Sequence, residues 1–208
     1  LRTPQERAAY LLTHFWDSLN FADTLHSRNS IFMEQNLISY FSLFPHVQAE
    51  ARIMAVKSLM QRAEVDETAY RLLARLAEKH LYTFGSPMQN EEYFIPFLEE
   101  IVGTSLLDET EKSRFRFLLS AALKNRPGTM ATDFTYLTPN GELQTLYTVP
   151  ATYRLLLLFY DPDCLHCREI ITALSTASCL QQQIESGQLT VLAICVGEDR
   201  DLWNCSLK

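Results

Sequence analysis

The residues best suited to chemistry in this chain are Cys164 and Cys167, separated only by Leu165 and His166. The thiolate is the reactive form of cysteine. A helix N-terminus, with its unsatisfied N–H groups and dipole, stabilises that anion. Two intervening residues place the second sulfur one turn on, over the same face. The first thiol can then attack a disulfide, and the second can resolve the mixed disulfide that forms. Cys164 is therefore the expected nucleophile and Cys167 the resolving thiol. A protonated His166 would lower the pKa of Cys164, whereas Asp161 and Asp163 would oppose this by charge. Arg168 is either a counter-charge or a plain surface residue.

The same spacing fits half of a zinc site, but no second CxxC or HxxxH completes one. It also fits a structural disulfide or an inert reduced pair. Cys179, Cys195 and Cys205 complete five cysteines, all in the last 45 residues. A disulfide-stapled scaffold would spread its cysteines through the fold. An odd, clustered set fits one working pair with bystanders. Cys179 is expected buried in a helix and Cys195 buried in a strand. His14, His26, His46 and His80 are widely separated and read as surface or satisfied residues. No metal or cofactor is called for.

The elements that must position the pair begin at Pro127-Gly128, where the sequence pattern changes. Residues 132–137 alternate as in a half-buried strand, and Pro139-Asn140-Gly141 marks a hairpin turn back into residues 142–148. Tyr153 to Tyr160 is almost wholly apolar, as in a strand buried on both faces. Asp161-Pro162-Asp163 ends it, and the CxxC follows at once. A single helix is expected to about Ile184, with Ile170, Ile171, Leu174, Ala177 and Leu180 as its buried stripe, then a strand from Leu189 to Val196. Strand, CxxC, helix and strand make a βαβ crossover with parallel strands.

Residues 1–126 read differently. Apolar residues recur at helical spacing, and start and stop signals divide them into about six helices. Thr3-Pro4-Gln5-Glu6 opens the first, whose stripe reaches Leu19. A second runs from about Ile31 to Phe44, stopped by Pro45, and a third from about His46 to Ala63. Asp66 caps a fourth that runs to Phe84 with Gly85 beyond it. Asn90 caps a fifth ending at Gly103 and kinked or interrupted at Pro96. Asp108 and Glu111 start a sixth ending near Asn125. The fold class expected is α + α/β: a helical domain over 1–126 and a βαβ domain over 127–208. The many aromatic residues of the first part read as core.

The net charge is −7. Residues 1–126 carry 14 basic against 16 acidic residues and residues 127–208 carry 4 against 9. Neither part offers a basic face for phosphate backbones, so no nucleic-acid partner is expected. The most apolar run, Leu155 to Tyr160, falls far short of the ~20 residues that span a bilayer. The sequence begins at Leu1, which is expected of a mature or trimmed form, with membrane attachment only through a removed leader or lipid anchor.

The second part resembles the extracytoplasmic thioredoxin-like family, the branch related to cytochrome-maturation thiol oxidoreductases and peroxiredoxins. The residues that carry the likeness are Gly128, Ala131, Asp133-Phe134, the Asn140-Gly141 turn, the strand Leu155 to Tyr160, and Cys164-Leu165-His166-Cys167. They cover roughly residues 128–205. The family usually has tryptophan before its first cysteine, where this chain has Asp163, and often Gly-Pro between the cysteines, where it has Leu165-His166. The resemblance also implies a cis-proline loop, two more strands and a final helix. No proline follows Pro162, so the module is expected to be truncated, from a longer protein. The first part is similar to an uncharacterised helical domain found before such modules in bacterial envelope proteins. Ser86-Pro87, Asn90-Glu91-Glu92-Tyr93 and Lys124-Asn125-Arg126 carry that likeness.

Together these imply a thiol–disulfide oxidoreductase, periplasmic or envelope-anchored. Cys164, Cys167 and His166 form its site, and protein thiols or disulfides and a separate redox donor are its partners. The alternative is a binding or scaffold protein whose helical domain does the work, with an inactive redox module. A peroxide-reducing enzyme is a weaker third, because such enzymes use a single positioned cysteine with a supporting arginine.

Overall fold

Most α-helix starts in the described residues are set by side chains that take up orphan backbone N–H groups, those at Ala49 and Ser178 being the exceptions. The computed structural model describes residues 3–150, 153–197 and 203. Thr3 and Glu6 form a reciprocal capping box at the start of α1 (Pro4–His14). Asp66 caps α5 (Glu67–Leu81) and Asn90 caps α6 (Glu91–Gly103). Asp108 and Glu111 box the start of α7 (Glu109–Ala122). Between these lie α2 (Thr24–Ser27), α3 (Ser30–Phe41) and α4 (Ala49–Ala63).

The boundaries depart from expectation in several places: α2 is unexpected, α3 ends at Phe41 rather than Phe44, α4 begins at Ala49 rather than His46, and α7 ends at Ala122 rather than near Asn125. α1 stops at His14, well short of Leu19, because the Arg62 guanidinium takes the carbonyls of Trp16 (2.7 Å) and Leu19 (3.1 Å). Those carbonyls are thus satisfied outside a helix. α5 ends three residues before Phe84, where the Asn90 N–H donates to the Leu81 carbonyl at 2.8 Å. Pro96 does not interrupt α6, which continues through it with the ring buried.

The chain divides into two units, one up to Ala131 and one from Thr132 onward. The first is a helical bundle whose core contains Met33, Leu37, Tyr40, Phe41, Leu59, Met60, Phe94 and Phe97, each no more than 1% exposed. Burying side chains of this size contributes about 1.5–3 kcal/mol apiece, so the bundle has its own sufficient core. Ion pairs Arg71–Glu111 and Arg114–Glu78 join α5 to α7.

The second unit opens with a hairpin, β1 (Thr135–Leu137) antiparallel to β2 (Leu143–Thr145). Gly141 has φ +80°, and its N–H donates to the Thr138 carbonyl (2.9 Å). Asn140 does not share the positive φ, so the loop is a three-residue turn closed by a left-handed glycine. β3 (Arg154–Tyr160) then pairs in parallel with β4 (Leu189–Cys195), in register from Arg154 opposite Leu189 to Tyr160 opposite Cys195. The crossover between them is helical, which makes the unit α/β and the whole chain α + α/β.

Several expectations fail in this unit, and β1 and β2 are only three residues each, shorter than the strands expected over 132–137 and 142–148. The crossover is not one helix but two, α8 (Leu165–Thr176) and α9 (Ser178–Glu185), broken at Ala177, whose ψ is 103°. Hydroxyls of Thr172, Ser175 and Thr176 turn back onto the main chain through the last turns of α8. The Gln181 amide takes the Ser175 carbonyl at 3.0 Å. Such back-bonding competes with the helix ladder and ends it. The expected stripe is also not fully buried: α8 and α9 have no buried residue. β3 likewise is half-buried along most of its length, only Tyr160 being buried, rather than closed on both faces. Among the described residues a single strand flanks it, so its apolar side chains are only partly covered.

Candidate active site

The site is built on the turn that joins β3 to α8. After Tyr160, the Asp161 carboxylate Oδ1 accepts the Asp163 N–H at 3.0 Å, an Asx-turn. The Asp161 carbonyl accepts the Cys164 N–H at 3.1 Å. Pro162 between them fixes its own φ and has no donor to satisfy. These bonds deliver Cys164 to the N-cap of α8 in an extended conformation, and its carbonyl accepts the Arg168 N–H at 3.2 Å. The Cys164 sulfur takes the place of the usual capping oxygen and accepts the Cys167 N–H at 3.3 Å.

The structure brings Cys164 and Cys167 together, unbridged and both half-buried. A hydrogen bond from the Cys167 thiol is the main cause that holds the Cys164 thiol below its ordinary 9.0. The main-chain N–H groups of Cys167 and His166 act in the same direction, while burial and the Asp161 charge act against it. His166 thus acts on Cys164 through its backbone, not through its ring as expected. The ring is 79% exposed and pairs with Glu169 at 3.5 Å. Arg168 is exposed. Of the expected opposing charges, Asp161 acts on Cys164.

Cys179 is exposed on α9 rather than buried, because that helix buries no residue. Cys195 is half-buried at the end of β4, and Cys205 lies outside the described residues. Among the described residues no three His, Cys, Asp or Glu side chains converge as a metal site would need. His14, His26 and His80 each pair with a carboxylate, Asp17, Asp23 and Glu34 respectively.

One residue of the site gave no sign in the sequence. Gly197 follows β4, and a Cβ there would lie 3.3 Å from Asp161 Oδ1 and from Pro162 Cδ, and 3.7 Å from the Cys195 sulfur. The end of β4 therefore presses directly on the turn that carries Cys164. The Val196 N–H bond to the Tyr160 carbonyl (2.9 Å) holds the two together. Asp161 was legible as a turn residue and as a charge, but its seat against a strand 36 positions later was not.

Comparison with known proteins gives two matches. Residues 1–125 match the family described as Domain of unknown function (DUF5106). The whole chain is similar to the crystal structure of a thioredoxin-like protein from Bacteroides caccae ATCC 43185, with 37% identity and a TM-score of 0.88, covering 74% of that protein's chain. No curated protein matches the chain significantly.

Proposed function

We propose that this chain, which belongs to the DUF5106 family and has a thioredoxin-like fold, is a thiol–disulfide oxidoreductase of the bacterial envelope acting through Cys164 and Cys167. The observation that carries the reading is the Cys164 sulfur at the N-cap of α8, accepting the Cys167 N–H. A sulfur held there is favoured as the thiolate, the form that attacks disulfides.

In the reducing direction the Cys164 thiolate attacks one sulfur of a substrate disulfide. The substrate S–S bond breaks, and the other substrate sulfur leaves as a thiolate that takes a proton from solvent. Cys167, deprotonated in turn, attacks the Cys164 sulfur of the mixed disulfide. The Cys164–Cys167 disulfide forms, and the second substrate thiol is released. Two electrons have passed from the dithiol to the substrate, and a separate dithiol donor restores the pair. In the oxidising direction each step reverses. His166 contributes its main-chain N–H to the Cys164 sulfur. Leu165, 66% exposed beside Cys164, offers an apolar contact to the polypeptide that carries the substrate disulfide. The envelope assignment rests on the likeness of residues 1–126 to the helical domain of exported proteins.

The test is a redox titration of the purified protein in glutathione or dithiothreitol buffers, with trapped thiols read by mass spectrometry. The expected result is one two-electron couple between Cys164 and Cys167 in the range of about −120 to −270 mV. A pair that never bridges, or a bridge that resists reduction below about −300 mV, ends the redox reading. Fractionation of the source cells tests location: a full-length product confined to the cytosol removes the envelope from the proposal.

A further inference from the structure

We propose that Asp161 is the positioning residue of this dithiol: it fixes where the Cys164 sulfur sits and sets how readily that sulfur reacts. The proposal rests on Cys164 being the nucleophile, and three contacts carry it. The Asp161 carbonyl holds the Cys164 N–H at 3.1 Å. Its carboxylate holds the Asp163 N–H at 3.0 Å and so closes the turn. The same carboxylate oxygen lies 3.3 Å from the position a Cβ would take at Gly197, so that any larger residue there would push on it by a few tenths of an ångström. One residue therefore ties the end of β3, the end of β4 and the N-terminus of α8.

The seat has an electrostatic consequence. The carboxylate cannot swing away without breaking the turn, so its negative charge is held near the sulfur. That charge opposes formation of the Cys164 thiolate, against the helix N–H groups that favour it. Other charged and titratable groups flank the site. Asp163 is in the turn, and His166, Cys167, Arg168 and Glu169 are in the first turns of α8. His166 is already engaged with Glu169, and from β4 the Cys195 thiol lies beside Gly197. Among these, Asp161 is the negative charge that acts on Cys164. A dithiol whose thiolate is less favoured is a weaker oxidant, because its reduced form is less stabilised. Asp161 thus restrains the oxidising character that the helix cap confers.

The experiment measures the rate of iodoacetamide alkylation at Cys164 of the reduced full chain, by peptide mass spectrometry, from pH 5 to pH 9.5. Asp161→Asn removes the charge but keeps an oxygen to accept the Asp163 N–H. It is expected to move the midpoint of the profile to lower pH and to raise the rate at pH 6 by about threefold, the effect of one charge screened by a water-like medium. The rate at high pH is expected to stay as in the wild type. Gly197→Ala adds a methyl group against Asp161 Oδ1 and the Pro162 ring without changing any charge. It is expected to move the midpoint in the same direction by displacing the carboxylate from its seat. A merely structural Asp161 would leave the Asn variant's midpoint where it was. That result, or a midpoint shifted upward, overturns the proposal. If Asp161→Asn fails to fold, the Gly197→Ala profile alone decides. The alkylation profile needs no disulfide chemistry. A wild-type pair that fails the redox titration while Asp161→Asn still shifts the profile would sink the proposed activity and leave this inference standing.

Discussion

The Tyr40 hydroxyl is the most exacting test of the helical unit's energetics. Tyr40 is fully buried among Phe15, Trp16, Phe41 and Phe44, at ring-centroid distances of 5.3, 5.6, 6.2 and 5.2 Å. Its hydroxyl has no hydrogen-bond partner, and burial pushes its pKa up, so it stays protonated and unpaired. Leaving a buried polar group unsatisfied costs about 1–3 kcal/mol. Tyr40→Phe removes that group and keeps every ring contact. The oxygen-sized hole it leaves, about 10 Å³, costs only about 0.2 kcal/mol at 24 cal/mol per Å³. The net expectation is a gain of about 1–2 kcal/mol, or a rise of roughly 3–6 °C in the melting temperature of a unit of this size. Tyr70 gives an internal comparison. Its buried hydroxyl also has no geometric hydrogen-bond partner but has the Thr104 hydroxyl beside it, which itself donates to Glu64 at 3.1 Å, so Tyr70→Phe is expected to gain less. The assay is urea unfolding followed by tryptophan emission, in a Trp203→Phe background so that Trp16 alone reports. Loss of stability in Tyr40→Phe by 1 kcal/mol or more would mean that the hydroxyl is satisfied, and the accounting above would fall.

Other outcomes follow from the same contacts. Phe97→Ala, at a fully buried ring packed edge-on against Phe41 at 5.8 Å, is expected to cost about 3–5 kcal/mol in the same denaturation assay. Arg62→Ala strips the Leu19 carbonyl of its donor and leaves the Trp16 carbonyl only the Leu19 N–H, and is expected to cost about 1 kcal/mol; a Lys replacement should recover only part, because one ammonium cannot reproduce the fork. The Cys164 thiol is held below the 9.0 of a free thiol, so its contribution to stability is fully present above pH 9 and is lost as pH falls through the lowered native value. Thermal melts of the reduced chain across pH 6 to 9.5 should show this rise, and Cys164→Ser, which keeps an oxygen cap and cannot ionise, should flatten it. A slope unchanged by Cys164→Ser would place the titration on another group.

Local signals carried the sequence reading as far as local physics reaches. Thr3, Asp66, Asn90 and Asp108 are all N-caps, because capping needs only a short polar side chain and the three residues after it. The parallel pairing of β3 with β4 followed from two apolar runs joined by a helical pattern. What failed depends on residues far apart in sequence or on side chains competing with the backbone. The stop of α1 is imposed by Arg62, more than forty positions later. The break between α8 and α9 has no glycine or proline to announce it, only hydroxyls that bond backward and the Gln181 amide. α2 is a single capped turn, too short to show a period. The two cysteines were legible by spacing alone. The weight given to the His166 ring was misplaced because sequence does not say which way a side chain on the first turn points.

The way α8 is held bears on the redox chemistry itself. Burial does little for this helix, since none of its residues is buried, so its first turn depends on the cap that Cys164 provides. A sulfur joined in a disulfide is a poorer acceptor than a thiol or thiolate. Oxidation of the pair therefore weakens the bond from the Cys167 N–H and loosens the turn that presents the site. If the pair acts as the proposed oxidoreductase, this bond favours the reduced state and pulls the couple toward oxidising potentials. The Asp161 charge pulls the other way, from a seat that β4 enforces through Gly197. The side chains between the cysteines, Leu165 and His166, point largely into solvent. In the proposed oxidoreductase, reactivity is thus set from the β3–α8 turn and partner contact from the CxxC side chains. Substitutions at Asp161 should change the thiol's pH profile for every substrate alike, while substitutions at Leu165 should change the ranking of substrates and leave that profile in place.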